Sequence, residues 1–218
     1  MKKTYNYILF DWDGTLAKTL DIWLETYKFI CNKYGVDISN LSDLEIVERS
    51  FGLWAKGLSN LGIKNFDKAY EESKEIVDEK VKNVEIYINA EKLLKDLTNR
   101  GKKLALHTSS FRNMLYPTIS NRNLEKYFSI ILTKDDVKNG KPDPEVINKE
   151  LAFFKIKPEK ALIVGDSDSD IKAGNNAGVD TVLFYPEEHK KFYREEFLLK
   201  EKPTYVINDL LELLKVVN

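Results

Sequence analysis

The segment ILFDWDGTL delivers two aspartates, Asp11 and Asp13, one residue apart at the end of an apolar run. Side chains alternate along an extended strand, so both carboxylates lie on one side of the backbone and repel unless a cation joins them. Later in the chain, Thr108 closes KLALHT, Lys141 stands in KNGKPDP, and Asp166 and Asp170 follow a further apolar run in ALIVGDSDSD. Brought together, Asp11, Asp13, Asp166 and Asp170 form a set of hard oxygen donors suited to a divalent ion. Mg2+ fits, because it commonly takes one or two carboxylates together with a substrate phosphate. Thr108 supplies a hydroxyl donor, Lys141 a point charge, and the DGT turn a nest of backbone N–H groups for phosphate oxygens. With phosphorus so held, Asp11 can attack it and form an aspartyl-phosphate. Asp13 then protonates the leaving alcohol and later takes a proton from the hydrolytic water.

Such a set needs elements that carry distant residues to one place. The runs NYILFD (6–11), KLALHT (103–108), SIILT (129–133), ALIVGD (161–166) and TVLFY (181–185) read as strands buried on both faces, the signature of a parallel sheet. Helical segments separate them: AEKLLKDLTNR ahead of Gly101, then DPEVINKELAFF and DIKAGNNAG. Residues 17–86 hold no convincing strand; Leu20, Trp23, Leu24, Tyr27, Ile30, Cys31 and Tyr34 recur at helical spacing. The expected fold is therefore α/β, a parallel sheet core over residues 1–16 and 87–218 with a helical insert over 17–86. In such a sheet the ligand crevice lies beyond the carboxyl ends of the strands, where Asp11, Thr108 and Asp166 are expected as terminal strand residues.

Composition narrows the partners. Lys and Arg total 34 against 35 Asp and Glu over 218 residues, a formal net charge of -1, so no global field favours nucleic acid. No run approaches the roughly 20 apolar residues of a membrane-spanning helix. The lone Cys31 precludes an intramolecular disulfide, and MKKTYNYILFDWDG reaches an aspartate too soon for a signal peptide, so a cytoplasmic location is expected.

In order, DWDGTL, LALHTSS, GKPDP and VGDSDSDIKAGNNAG resemble the four motifs of the haloacid dehalogenase (HAD) superfamily, most like its phosphoglycolate phosphatase-like branch. The resemblance runs over residues 5–16 and about 85–217. It implies a Rossmann-like, HAD-like parallel sheet core with residues 17–86 as an inserted α-helical cap domain, Asp11 as nucleophile, Asp13 as acid and base, phosphate binding by Thr108 and Lys141, and Mg2+ held by Asp11, the Asp13 carbonyl and Asp166. Asp170 matches the second acid of the last motif, which supports the metal through water, and the helical insert matches a mobile cap that closes over substrate. Some positions depart from the family pattern. Lys18 and Thr19 replace a frequent Asp-Ser and place a positive charge towards the entrance, and Ile88-Asn89 replaces a frequent Pro-Gly. Ser109 stands where Asn is frequent, its backbone N–H still available to phosphate, and the segment 186–203 is long and charged.

The expected function is a Mg2+-dependent phosphatase of small phosphorylated metabolites. A phosphomutase of the beta-phosphoglucomutase type, transferring the same phosphoryl group to a sugar hydroxyl, is the alternative, and a non-catalytic phosphate-metabolite binding protein is the other. In the cap, Lys18, Arg49 and Lys56 are candidate ligands for the far end of the substrate, Arg49 and Lys56 weighed equally against ordinary surface charge. Asp168 is expected as a helix N-terminal acid, His107 as a satisfied core histidine, and His189 and Tyr193 on a solvated helix face. Trp12 is expected to point away from the aspartates and pack locally.

Overall fold

The computed structural model describes residues 3–53 and 55–217; the extreme positions 1, 2 and 218 of the expected core lie outside the described residues. The five expected strands form as β1 (Tyr7–Asp11), β2 (Lys103–His107), β3 (Phe128–Leu132), β4 (Ala161–Gly165) and β5 (Asp180–Phe184). A sixth, β6 (Tyr205–Ile207), extends the sheet at its edge; three residues are too few to register as an apolar run in the sequence. The order is β3-β2-β1-β4-β5-β6 with every pair parallel, so β1 sits at the centre.

Helices α1 (Leu20–Lys33), α2 (Asp43–Ser50), α3 (Ala55–Asn60) and α4 (Phe66–Val81) follow β1. Then come α5 (Ala90–Asn99), α6 (Arg112–Asn121), α7 (Glu145–Phe154), α8 (Asp168–Ala177), α9 (Glu195–Lys200) and α10 (Leu213–Val216). Strand alternation sorts the core into two layers. Ile8 and Phe10 of β1 pack with Leu106, Val164 and Phe184 against α5 and α6, while Leu9, Ala105 and Ile163 face α7 and α8. Trp12 continues the first layer and is buried there, as its parity requires. Asp11 therefore emerges on the other face, over α7 and α8.

Helices α1 to α4 pack their own apolar cluster. Leu24, Tyr27 and Ile30 of α1 meet Ile46 and Val47 of α2, Leu58 of α3 and Ala69 of α4. A capping box between Ser42 and Glu45 starts α2. Cys31 is buried in this cluster, and burial pushes its thiol up to about 11. Phe192, which belongs to the chain after β5, is buried in the same cluster. Asn89, at the position of the expected turn, takes a left-handed φ of 67°, a conformation that Asn tolerates better than most side chains. Among the described residues no helix is long and apolar enough to cross a membrane.

Leu97 of α5 is fully buried in the layer shared with β1 and β2. Leu97→Ala should cost about 2–5 kcal/mol through lost transfer energy and the cavity left behind. Chemical denaturation should show the midpoint fall with an unchanged slope.

Candidate active site

The carboxyl ends of β1, β2 and β4 are neighbours, and each delivers a polar residue to one rim. Asp11 is the last residue of β1 and pairs in register with His107 of β2. Thr108 and Asp166 stand one residue beyond β2 and β4, not at their last positions, because the ladders stop at His107 and Gly165. The turn after β1 is tied by the Leu16 and Ala17 amides, which donate to the Trp12 carbonyl. Gly14 adopts φ 80°, and a Cβ there would collide with the Asp166 carboxylate. Glycine is thus required twice over, by its dihedral and by the approach of the two loops. Gly165 is tight in the same way, since a Cβ on it would strike Asp170.

Lys141 is the one cation inserted among these acids in the described site. Its Nζ donates to Asp11 Oδ1 and, at 2.5 Å, to Asp170 Oδ1, with the side chain only 6% exposed. Asp170 also accepts from the Ser167 amide at 3.0 Å and hydroxyl at 2.6 Å, the capping box that opens α8. Asp168 is exposed and pairs with Lys172 at 2.7 Å, so it is the helix-end acid expected of it. Asp166 accepts from the Thr15 hydroxyl at 3.2 Å through Oδ1, whereas its buried Oδ2 has no partner. Asp13 Oδ2 accepts from the Thr108 hydroxyl at 2.5 Å and from the Ser110 hydroxyl at 2.9 Å.

Burial governs the ionisation of this cluster. Desolvation raises Asp11 to about 7, against the pull of Lys141 and with the push of Asp170. Asp166 is driven well up by burial and by the neighbouring charges of Asp170 and Asp11. Burial alone would raise Asp170, but Lys141 and the Ser167 hydrogen bonds hold it below the ordinary carboxylate range. Burial alone would lower Lys141; Asp11 and Asp170 hold its ammonium above the ordinary lysine value. An orphaned buried carboxylate oxygen, beside two further acids and a donor set made of hard oxygens, is what a divalent cation satisfies. The residues present fit such an ion.

Behind the rim, His107 Nδ1 bonds Glu150 Oε1 of α7 at 3.1 Å, with both side chains fully buried. The expected satisfied histidine is thus half right: Nε2 has no partner, and a ring nitrogen of His107 lies within 4.8 Å of Asp11 and Asp170 oxygens.

A cavity of about 740 Å³ opens from the carboxylates towards the helices after β1. Asp11, Asp13, Ser109, Lys141, Asp166 and Asp170 line it, while Thr108 lies behind Asp13. The three candidate cap cations do not. Arg49 and Lys56 are exposed away from it, since a step of one residue along α2 turns about 100° and brings Glu48 to the cavity instead. Lys18 turns to Glu188 at 3.3 Å and lies over the Tyr87 ring. His189 is fully buried with a 2.7 Å hydrogen bond to the Tyr87 hydroxyl, which overturns the expected solvated face. Burial lowers it to about 3, so it is neutral. Tyr193 is partly buried, lines the cavity and faces Asp166, and burial with that charge raises its phenol. Ser110, two residues past Thr108, was not singled out in the sequence; a second hydroxyl beyond the strand end was the available signal.

The chain after β5 is bound to the helical segment. Arg194 pairs with Glu48 at 2.7 Å, Lys191 with Asp21, and Phe192 stacks on Phe51 with centroids 6.3 Å apart. The exposed ion pairs add little, so the buried phenyl ring is the main anchor.

The sequence matches the haloacid dehalogenase-like hydrolase family over residues 8–184. It is 30% identical over 229 residues to a protein named pyrophosphatase PpaX from Anoxybacillus flavithermus, with 98% of each chain covered. To a phosphorylated carbohydrates phosphatase from Thermotoga maritima it is 29% identical over 220 residues, covering 95% of this chain and 99% of the other. In fold it is similar to a solved haloacid dehalogenase-like family hydrolase from Streptococcus pneumoniae, with a TM-score of 0.82 at 19% identity, covering 98% of this chain and 99% of the other.

Because the folded pKa of Asp11 lies above its ordinary 3.8, the native state holds this proton more tightly than the unfolded chain. The associated stability is present below 3.8 and is lost as pH rises through about 7. In metal-free buffer, Asp11→Asn should therefore gain stability relative to the parent as pH rises across that window. Urea denaturation at several pH values reads this, and a gap independent of pH contradicts it.

Proposed function

The chain belongs to the haloacid dehalogenase-like hydrolase family, and from that premise we propose that it is a Mg2+-dependent phosphatase of small phosphomonoesters acting through an aspartyl-phosphate on Asp11. The names of its relatives, a pyrophosphatase and a phosphorylated carbohydrates phosphatase, support phosphoryl hydrolysis as the reaction. The observation that carries the reading is the meeting of Asp11, Asp13, Lys141 and an unpartnered Asp166 oxygen at the floor of one cavity.

Asp11 projects from the end of the central strand, fixed by the ladders on both sides, so its carboxylate is held for in-line attack. Lys141 opposes the burial that raises Asp11, favouring its ionised form, and neutralises the transferring phosphoryl oxygens. Asp13 Oδ2 is pinned by Thr108 and Ser110, which leaves Oδ1 to give a proton to the leaving alcohol and to take one from water afterwards. The Ser109 backbone offers an N–H group to the phosphate, whereas the Gly14 and Thr15 amides of the DGT turn, expected to do the same, are already donated to the Ala17 and Trp12 carbonyls. Asp11, the Asp13 carbonyl and Asp166 would hold Mg2+, with Asp170 in support. When bound, that ion neutralises negative charge on phosphate and carboxylates alike. Helices α1 to α4 act as the cap, covering the cavity and excluding competing water.

Phosphate release from a panel of phosphomonoesters should require Mg2+ and vanish in Asp11→Asn. Asp13→Asn, which keeps the nucleophile, should lose about 10²–10⁴-fold in kcat, the usual contribution of a positioned acid and base. Release that persists in Asp11→Asn would rule the aspartyl-phosphate out.

A further inference from the structure

The floor of the cavity is built for phosphate, but its far walls have a different chemistry. Trp23 and Tyr27 of α1, Phe51 after α2, Tyr70 of α4, and Phe192 and Phe197 from the chain after β5 line it. Their rings run on continuously: Trp23 meets Tyr27 edge-on at 5.7 Å, Tyr27 meets Phe51 edge-on at 6.1 Å, and Phe51 stacks on Phe192. Most charged groups among them are already in ion pairs, and Lys200, which is in none among the described residues, lies 4.3 Å from the Phe197 ring centroid. Glu48 holds Arg194 at 2.7 Å, Lys74 holds Glu71 at 3.0 Å and lies 4.8 Å from the Phe111 ring centroid, and Lys172 holds Asp168.

A leaving group rich in hydroxyls would lose its water against these rings without regaining hydrogen bonds, which is costly. A second phosphate, as in pyrophosphate, would have to draw Lys200 off the Phe197 ring or part an ion pair to find a counter-charge. A planar ring system instead gains both apolar burial and ring contacts. A cavity of about 740 Å³ has room for a phosphate with a fused ring system attached. We propose that the substrate is a phosphomonoester whose alcohol carries a planar aromatic body, seated against the wall formed by the rings of α1, Phe51 and the chain after β5. This rests on the phosphatase reading above and narrows it. It also gives the chain after β5 a role: Phe192 and Phe197 complete the aromatic wall, so substrate selection is shared between the cap and a loop of the core.

The test is steady-state kinetics of the full chain with Mg2+ on esters of comparably unactivated primary alcohols. Riboflavin 5′-phosphate and 2-phenylethyl phosphate are set against glucose 6-phosphate, with pyrophosphate as the doubly charged competitor. At least one aromatic ester should exceed both competitors about tenfold or more in kcat/KM. Phe51→Leu, which keeps an apolar side chain, should lower the aromatic-to-glucose ratio about fivefold, chiefly through KM. Trp23→Leu serves in its place if that variant melts early. Glucose 6-phosphate or pyrophosphate as the best substrate overturns the aromatic preference and leaves the phosphatase reading standing. No hydrolysis of any ester by a folded, Mg2+-supplied protein overturns both.

Discussion

Three buried carboxylates around one ammonium set the terms for the rest of this molecule. Asp11, Asp166 and Asp170 are nearly inaccessible to water, and Lys141 answers two of them directly. Burying charge is tolerable only where partners are close and fixed. The fixing is visible in each surrounding element. The central strand holds Asp11, the capping box of α8 holds Asp170, the glycine turn brings Thr15 to Asp166, and the loop before α7 delivers Lys141. One carboxylate oxygen is still left over, on Asp166, and the cluster is incomplete until a cation or its proton satisfies it.

Strand parity explains why this cluster can exist beside a dry core. Ile8, Phe10 and Trp12 point to one layer, so Asp11 must point to the other, where α7 and α8 begin and carry polar residues at the rim. The same parity brings His107 beneath Asp11, and Glu150 of α7 closes that buried pair. Asp11 and His107 stand on strands whose neighbouring residues are packed in the two apolar layers, which is how a packed interior gives rigidity to a charged site.

The helical segment and the chain after β5 form the other half of the cavity. Phe192 is the joint between them, contributed by the sheet side but buried among residues of α1 to α4. The shape of that end of the cavity therefore depends on two stretches of sequence more than a hundred residues apart.

The sequence by itself determined the sheet, its helical insert and the residues at the rim, because apolar runs and strand-end polar residues are local patterns. Asp11, Asp13, Lys141, Asp166 and Asp170 were all legible, each placed by a strand end or a loop beside it. Tertiary structure decided what no local pattern encodes. It took Lys18, Arg49 and Lys56 away from the cavity, since a charge type does not say which way a short helix or hinge turns. It buried His189 and brought Tyr193 to the site, because the segment after β5 reads as charged and solvated until Phe192 anchors it in a distant cluster. It also engaged Thr108 and Ser110 with one oxygen of Asp13, a choice of partner that depends on distances across the rim and not on spacing along the chain.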